Sequence, residues 1–230
     1  MSLVIHQHSL SQQPPAFPEV DAPPAAISFF APFFIPKILQ DVYQHREYIL
    51  SDEFREFRRT YGDIHAVDAL YHRALELTWG NTHEALFVCL LNSIEHRRVD
   101  FRLPLIGLVI PVPLTYEFED EFNERVHALP NRLYADTPKG TFGDVDKLQH
   151  FFGSAFVTAM SESEEAADNM GHFVEMGESR YVPGEVIDER DIRSNRQGQR
   201  FGLAVLAGED VMPSRYITGA DSLHTNMEQR

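Results

Sequence analysis

Apolar residues recur at helical spacing through most of the chain between residues 28 and 137. The pattern predicts amphipathic helices over residues 38–50, 52–60, 65–78, about 81–97 and 117–129. Asn81, with Glu84 three residues later, is typical of a capping box at the start of the fourth helix. From residue 99 to 114 the spacing shortens and prolines recur, which predicts short extended segments at a sheet edge.

The last third of the chain carries polar stripes where apolar stripes are expected. Helices are predicted over about 144–160, 161–179 and 188–206, with Asp144, Ser161 and Asp188 as their N-caps. Helical spacing places three sets of side chains on one face each: Asp146, His150, Gly153 and Val157; Asp168, His172 and Glu175; and Asp191, Asn195, Gly198 and Gly202. A helix face that packs on a core is normally apolar, so these faces indicate either a buried polar network or a functional site.

Together these elements predict a mainly α-helical protein. We expect a flexible proline-containing arm over residues 1–27, a helical region over 28–137 with its extended segment near 99–114, a C-terminal three-helix unit over 144–211, and a flexible polar tail over 218–230. An apolar fraction of 43% is sufficient for a packed core.

The chain is strongly acidic, which narrows the classes of partner. A net charge of −15 argues against general nucleic-acid binding, which needs a basic surface, and against a purely electrostatic hold on anionic lipid. No secretory signal pattern is present, and no apolar run reaches the ~18 residues that span a bilayer. We therefore expect a cytoplasmic protein, with peripheral membrane contact as the alternative. Cys89, the only cysteine, is expected to be a small buried hydrophobe.

A Phe-rich stretch between residues 25 and 39 is the candidate contact segment. Prolines interrupt it, which argues against one continuous helix. Its aromatic side chains are Phe29, Phe30, Phe33 and Phe34. Such a segment can pack across the protein's own domain, dock a protein partner or touch a membrane surface.

Two pairs of histidine and carboxylate in the C-terminal unit can bind a divalent metal ion. Asp146 and His150 lie one turn apart, as do His172 and Glu175, and helical bundles present such pairs to transition metals. A mononuclear site built from these four residues is one interpretation, and a solvent-facing aspartate beside a core histidine is the other. If the unit is catalytic, its candidate residues are Asp146, His150, Glu175, Asp191 and Asn195.

The last predicted helix contains residues that helix propensity does not explain. Asn195 lies in its middle, and Gly198 and Gly202 on the same face each cost about 1 kcal/mol relative to alanine. Close approach of another helix or of a ligand would offset that cost. A second stripe consists of Arg190, Arg193, Arg196 and Arg200. We expect it to pair with the acidic residues between 162 and 175, or to be solvated.

These residues resemble the VanZ-like family and the related YfiM-type lipoproteins. The resemblance covers roughly residues 144–202, and the matching positions are Asp146, Lys147, His150, Glu175 or Glu178, Asp191, Asn195 and Gly198. It implies a helical core of the kind found in membrane-embedded or membrane-attached proteins, one branch of which is linked to glycopeptide-antibiotic resistance. The chain departs from the family because its predicted helices are too short for a bilayer and Cys89 cannot serve as a lipidated N-terminal cysteine.

Two functional hypotheses follow from the sequence. In the first, the protein is a binding or assembly subunit whose partner docks on the Phe-rich segment, and the polar faces form a structural network. In the second, it is a metal-dependent, hydrolase-like enzyme that uses Asp146, His150, Glu175 and Asp191. We favour the first because buried polar networks are more frequent than active sites and no complete catalytic set is visible.

Overall fold

The computed structural model describes residues 36–102, 109–113, 115, 117–141, 143–161 and 189–217. Its helices are α1 (Lys37–Leu50), α2 (Asp52–Tyr61), α3 (Asp63–Leu77), α4 (Thr82–Ser93), α5 (Glu119–Ala128), α6 (Val145–Ser161), α7 (Glu189–Leu206) and α8 (Ser214–Ile217), and its strands are β1 (Arg98–Arg102) and β2 (Val109–Pro113). The mainly α-helical fold class is confirmed within these ranges.

Several predicted parts of the chain lie outside the described residues. These are the arm over 1–27, the part of the Phe-rich segment up to residue 35 with Phe29, Phe30, Phe33 and Phe34, nearly all of the helix predicted over 161–179 with His172 and Glu175, the Asp188 cap, and the tail over 218–230. The predictions made for them stay predictions.

Local capping sets the starts of two helices, and the cap at Asn81 is the one that the sequence predicts. The Ser51 hydroxyl accepts a hydrogen bond from the Phe54 amide at 3.1 Å, and the Asn81 side chain accepts one from the Glu84 amide at 3.3 Å. Both residues have extended backbone conformations, so they end one segment and begin the next. The boundaries of α2 and α4 at these points are therefore encoded by single side chains.

The predicted end of α4 is wrong, because a distant arginine stops the helix early. The helix ends at Ser93 and does not continue to residue 97. The buried Arg125 guanidinium donates to the backbone carbonyls of Asn92 at 2.7 Å and Ile94 at 3.0 Å. A long-range contact thus holds the carbonyls at this helix end, which sequence spacing does not reveal.

The same arginine explains why α5 starts at Glu119, two residues later than predicted. Glu117 is buried, and its carboxylate accepts hydrogen bonds from Arg125 at 2.8 and 2.9 Å. Arg46 of α1 approaches the same carboxylate at 3.0 Å. Glu117 therefore links α1 to α5 and the end of α4, and lies before the first turn of α5.

One hydrophobic core joins the helices of both predicted regions. Cys89 on α4 is buried in it, as expected. Tyr71 on α3, Phe151 on α6 and Phe201 on α7 form a continuous ring contact, with centroids 5.0 and 5.5 Å apart. This packing anchors α6 and α7 on α3, and Phe156 of α6 lies against Phe87 of α4 with ring centroids 5.2 Å apart.

The two strands form an antiparallel pair in which Phe101 lies opposite Ile110 and Arg98 opposite Pro113. They connect the end of α4 to the segment that leads into α5. No helix in the described ranges combines the length and the apolar character that crossing a bilayer requires.

Candidate functional site

The helices α6 and α7 pack so closely that their backbones touch. A Cβ atom added at Gly198 would overlap the carbonyl oxygen of Phe151, and one at Gly202 would lie 2.6 Å from that of Ala155. Side-chain Cβ atoms do not occupy such positions, so both sites require glycine. This close approach is the feature that offsets the helix-propensity cost of two glycines on one face.

A network of polar side chains runs along this contact and is called the polar seam below. It consists of Asp146, Lys147, His150 and Ser154 from α6, and Asp191 and Asn195 from α7. At one end the Lys147 ammonium lies 2.5 Å from a carboxylate oxygen of Asp146 and 2.5 Å from one of Asp191. The Lys147 side chain is only 3% exposed, whereas those of Asp146 and Asp191 are 35% and 19% exposed. One buried cation therefore compensates two carboxylates.

Both ring nitrogens of His150 face residues of α7. Nδ1 lies 3.2 Å from the side-chain oxygen of Asn195, and Nε2 lies 3.5 Å from a carboxylate oxygen of Asp191. The Ser154 hydroxyl donates to the same Asn195 oxygen at 2.8 Å. Asn195 thus acts as an acceptor for two groups of α6, which explains an asparagine in the middle of a helix.

The loop before α6 is tied to the same pair of helices. Tyr134 donates to Gln197 at 2.6 Å, and the Ser194 hydroxyl donates to the carbonyl of Lys147 at 2.5 Å. Burial raises the pKa of Tyr134, the largest effect acting on it, which keeps the phenol protonated as a donor. These bonds add a third element to the α6–α7 contact.

Asp144 lies at the N-cap position of α6, as predicted, and its backbone carbonyl accepts from the Leu148 amide at 3.0 Å. Its fully buried carboxylate accepts hydrogen bonds from the backbone amides of Leu133 at 2.8 Å and Tyr134 at 3.2 Å. Thr137 and Arg190 also bond to it. The carboxylate therefore holds the preceding loop in place and links it to α7 through Arg190.

The arginine stripe of α7 pairs partly with this loop. Arg190 contacts Asp144, and Arg193 donates to Asp136 at 2.7 Å while its guanidinium lies 4.3 Å from the ring centroid of Tyr134. Arg196 and Arg200 are exposed. Pairing with the acidic residues 162–175 falls outside the described part of the chain.

Glu95 is a member of this region that sequence reasoning missed. Its backbone amide donates to the Gln149 side chain of α6 at 3.1 Å, and its carboxylate lies 3.3 Å from His96. Burial raises the pKa of Glu95, and the negative charge of Asp146 raises it further, against the lowering effect of neighbouring cations. The residue follows the end of α4 and has no helical spacing with the stripe residues, so the sequence carries no signal for it.

The structure brings together four of the predicted site residues: Asp146, His150, Asp191 and Asn195. Within the described ranges, no group of three His, Cys, Asp or Glu side chains is arranged to hold a metal ion. His172 and Glu175 belong to the undescribed part, so the four-residue metal site stays a prediction. The polar faces of α6 and α7 meet, as expected for a buried polar network or a functional site.

A second region stands out for a different reason: the turn of residues 78–81 between α3 and α4, called the Trp79 turn. The Gly80 amide donates to the Leu75 carbonyl at 2.8 Å and the Trp79 amide to the Glu76 carbonyl at 3.2 Å. This is the Schellman arrangement, in which the residue after the cap adopts a left-handed conformation and is usually glycine. Here that residue is Trp79, with a φ of +55°, and its side chain is 84% exposed.

Lys37, at the start of α1, holds the exposed indole in place. Its ammonium lies 4.5 Å from the centre of the Trp79 ring. It also donates to the Leu77 carbonyl at 2.6 Å and to both carboxylate oxygens of Asp41, at 2.8 and 2.6 Å. Lys37 therefore holds the Trp79 turn against the first turn of α1. In the sequence, the four phenylalanines of the Phe-rich segment come shortly before this turn.

Comparison with known proteins finds no match for this chain. No protein-family model matches the chain, and no curated protein or solved structure matches it.

Proposed function

We propose that this protein is a binding or assembly subunit whose contact surface includes the Trp79 turn and the neighbouring Phe-rich segment with Phe29, Phe30, Phe33 and Phe34. In this proposal the polar seam is structural, and its task is to hold α6 against α7. The carrying observation is that Trp79 occupies a left-handed, exposed position where folding favours glycine.

Two local costs at Trp79 support a role outside folding. A left-handed conformation costs a non-glycine residue about 1–2 kcal/mol, and a large exposed indole removes no apolar surface from water. The Lys37 ammonium offsets part of this, since an exposed cation–π contact contributes about 0.5–1 kcal/mol. A residue that folding does not require, at an exposed tip, is typical of binding sites, where tryptophan often anchors the contact.

The polar seam, in contrast, supports a structural role through its internal compensation. Lys147 already supplies a cation between Asp146 and Asp191, and both nitrogens of His150 face protein oxygens. A general base needs a ring nitrogen free to face substrate, and a metal ion would have to displace the Lys147 ammonium. This argues against the alternative, a metal-dependent hydrolase-like enzyme that uses Asp146, His150, Glu175 and Asp191.

We propose a VanZ-like helical core over residues 144–202. The pairing of Asp191 and Asn195 with Lys147 and His150 supports it. We also propose a cytoplasmic location, where the protein can contact a membrane surface peripherally.

The proposal is tested by replacing Trp79 with glycine and following the full-length protein in extracts of its source cells. We expect the wild-type chain to fractionate in larger or membrane-bound species and Trp79→Gly to move to the free fraction with an unchanged melting temperature or a higher one. Phe118→Gly is the matched control, because Phe118 is 78% exposed at another helix end. Identical fractionation of wild type and Trp79→Gly would overturn the proposal.

A further inference from the structure

The apolar surface at the Trp79 turn is small for a protein interface. A tryptophan side chain offers at most ~250 Å², of which 84% is exposed here, and a standard interface needs about 800 Å² from each partner. Leu39, in the first turn of α1, is about half exposed and adds little. A rigid protein partner would therefore need most of its contact elsewhere, whereas lipid molecules rearrange around a single inserted side chain.

The charges around the tip select one kind of lipid surface. The Lys37 ammonium beside the indole is neutralised by both oxygens of Asp41, so it offers no free cation to an anionic headgroup. The whole chain carries a net charge of −15. Repulsion therefore disfavours an anionic membrane, and a zwitterionic membrane carries no such penalty.

The indole itself suits the boundary between headgroups and acyl chains. Tryptophan has an apolar ring and one N–H donor, and it concentrates at that depth in membrane proteins because one side is apolar and the other is wet. The left-handed turn and the Lys37 contact hold the ring outward before any binding occurs. Its rotational freedom is thus partly lost in the free protein, which lowers the entropic cost of insertion.

We propose that Trp79 inserts into the interfacial layer of a zwitterionic membrane, and that the protein binds such membranes peripherally and with little dependence on salt. This inference rests on the proposed function, because it names the partner of the same contact surface. One indole gives weak, reversible binding.

The test uses the fact that Trp79 is the only tryptophan of the chain. The intact protein is titrated with phosphatidylcholine vesicles while tryptophan emission and its quenching by an aqueous quencher are measured. We expect emission to shift to shorter wavelength and quenching to fall, equally at low and at high salt. Replacing part of the phosphatidylcholine with phosphatidylserine should weaken binding at low salt, because the chain is acidic.

Matched variants assign the binding to the proposed residue. In a vesicle flotation assay, Trp79→Gly should lower the partition constant roughly tenfold or more, as expected for losing an apolar anchor, whereas Phe118→Gly should bind like wild type. Melting temperatures establish that both variants are folded.

Two results would overturn the inference: no emission shift at saturating phosphatidylcholine, or binding that needs phosphatidylserine and vanishes in high salt. Wild type could fail to bind vesicles and still form a larger species in extracts that depends on Trp79. In that case the partner is a protein, and the proposed function stands without this inference. If neither readout depends on Trp79, both fail.

Discussion

The polar seam and the Trp79 turn both break a rule of sequence patterning, but they do so in opposite ways. The seam places charged and polar residues where a helix contact is normally apolar, yet Lys147, His150, Ser154 and Asn195 all have partners in it. The Trp79 turn places a large aromatic residue in a left-handed, exposed position, and among the described residues its ring is compensated by the Lys37 ammonium.

The contrast separates structural residues from candidate contact residues within one chain. An unusual residue whose energetic cost is offset by its own neighbours needs no ligand to explain it, since the network stabilises the fold. An unusual residue whose cost is largely not offset within the described fold supports the proposal of an external partner. Sequence spacing singles out the seam, whereas we propose the turn as the contact surface.

The largest effect should come from breaking the close contact that carries the seam. Gly198→Leu should destabilise the protein by about 3 kcal/mol, at the top of the range for overpacking, because the new side chain meets the Phe151 backbone and cannot move it cheaply. Even Gly198→Ala should destabilise. Chemical denaturation measures both, with Gly140→Ala as the control, since a Cβ at Gly140 meets no atom within 4 Å. A more stable Gly198→Ala variant would show that the helices do not touch there.

Acid should lower the free energy of unfolding through a buried histidine at the contact between α1 and α3. His45 on α1 is fully buried and its Nε2 lies 2.9 Å from the Leu70 carbonyl of α3; burial lowers the pKa of this histidine to about 4 from 6.5. The folded state therefore favours the neutral ring, and the unfolded state takes up the proton first. The contribution of His45 to the free energy of unfolding is fully present above pH 6.5. It falls by up to about 3 kcal/mol as the pH drops to 4.

Unfolding free energies of wild type and His45→Gln between pH 7 and 4 check this. The variant should lose less stability over that window than wild type, although it starts from a lower value. Equal slopes for the two proteins would mean that His45 does not titrate as its burial requires.

Removing the cation of the seam should have an intermediate effect. Lys147→Met leaves the Asp146 and Asp191 carboxylates without their shared ammonium, and we expect a loss on the order of 2 kcal/mol. The two carboxylates are partly exposed, so solvent limits the loss. Thermal or chemical denaturation measures it against Lys139→Met, where the lysine is exposed. A loss no larger than the control's would remove Lys147 from the network.

Substitutions at Trp79 should reverse the usual order of helix-forming residues. Both variants lose the ring, but Trp79→Gly relieves the left-handed strain whereas Trp79→Ala keeps it, so we expect glycine to be more stable than alanine by about 1 kcal/mol. Melting curves of the two variants give the difference directly. If alanine were the more stable, the turn would not be left-handed at this residue, and the comparison between the two regions would lose its basis.

The smallest expected effect concerns metal ions. With Lys147 lying between the carboxylates, we expect added zinc or manganese to leave the melting temperature of wild type unchanged, and His150→Gln to behave in the same way. Metal analysis of the purified protein is the second measurement. A metal-dependent rise in wild type that His150→Gln abolishes would instead support the hydrolase alternative.

Helical spacing alone predicts most of the helices and the members of the seam that repeat along them. Such spacing depends only on backbone geometry, so Asp146 with His150 and Asp191 with Asn195 could be placed on common faces without coordinates. Asn81 marked the start of α4 because capping is local. The two glycines indicated a close contact, because their helical cost needs compensation somewhere.

The partners of those helix faces depend on the tertiary structure, because they lie far away in the sequence. The contacts of Glu95 with α6, of Asp144 with its loop and of Arg125 with the end of α4 join residues that no periodic pattern connects. The left-handed conformation of Trp79 was equally hidden, because turn propensities favour glycine there and a tryptophan reads as core. Periodic patterns report the environment of each helix face, whereas partners across helices, and the backbone strain they maintain, are set by how the whole chain packs.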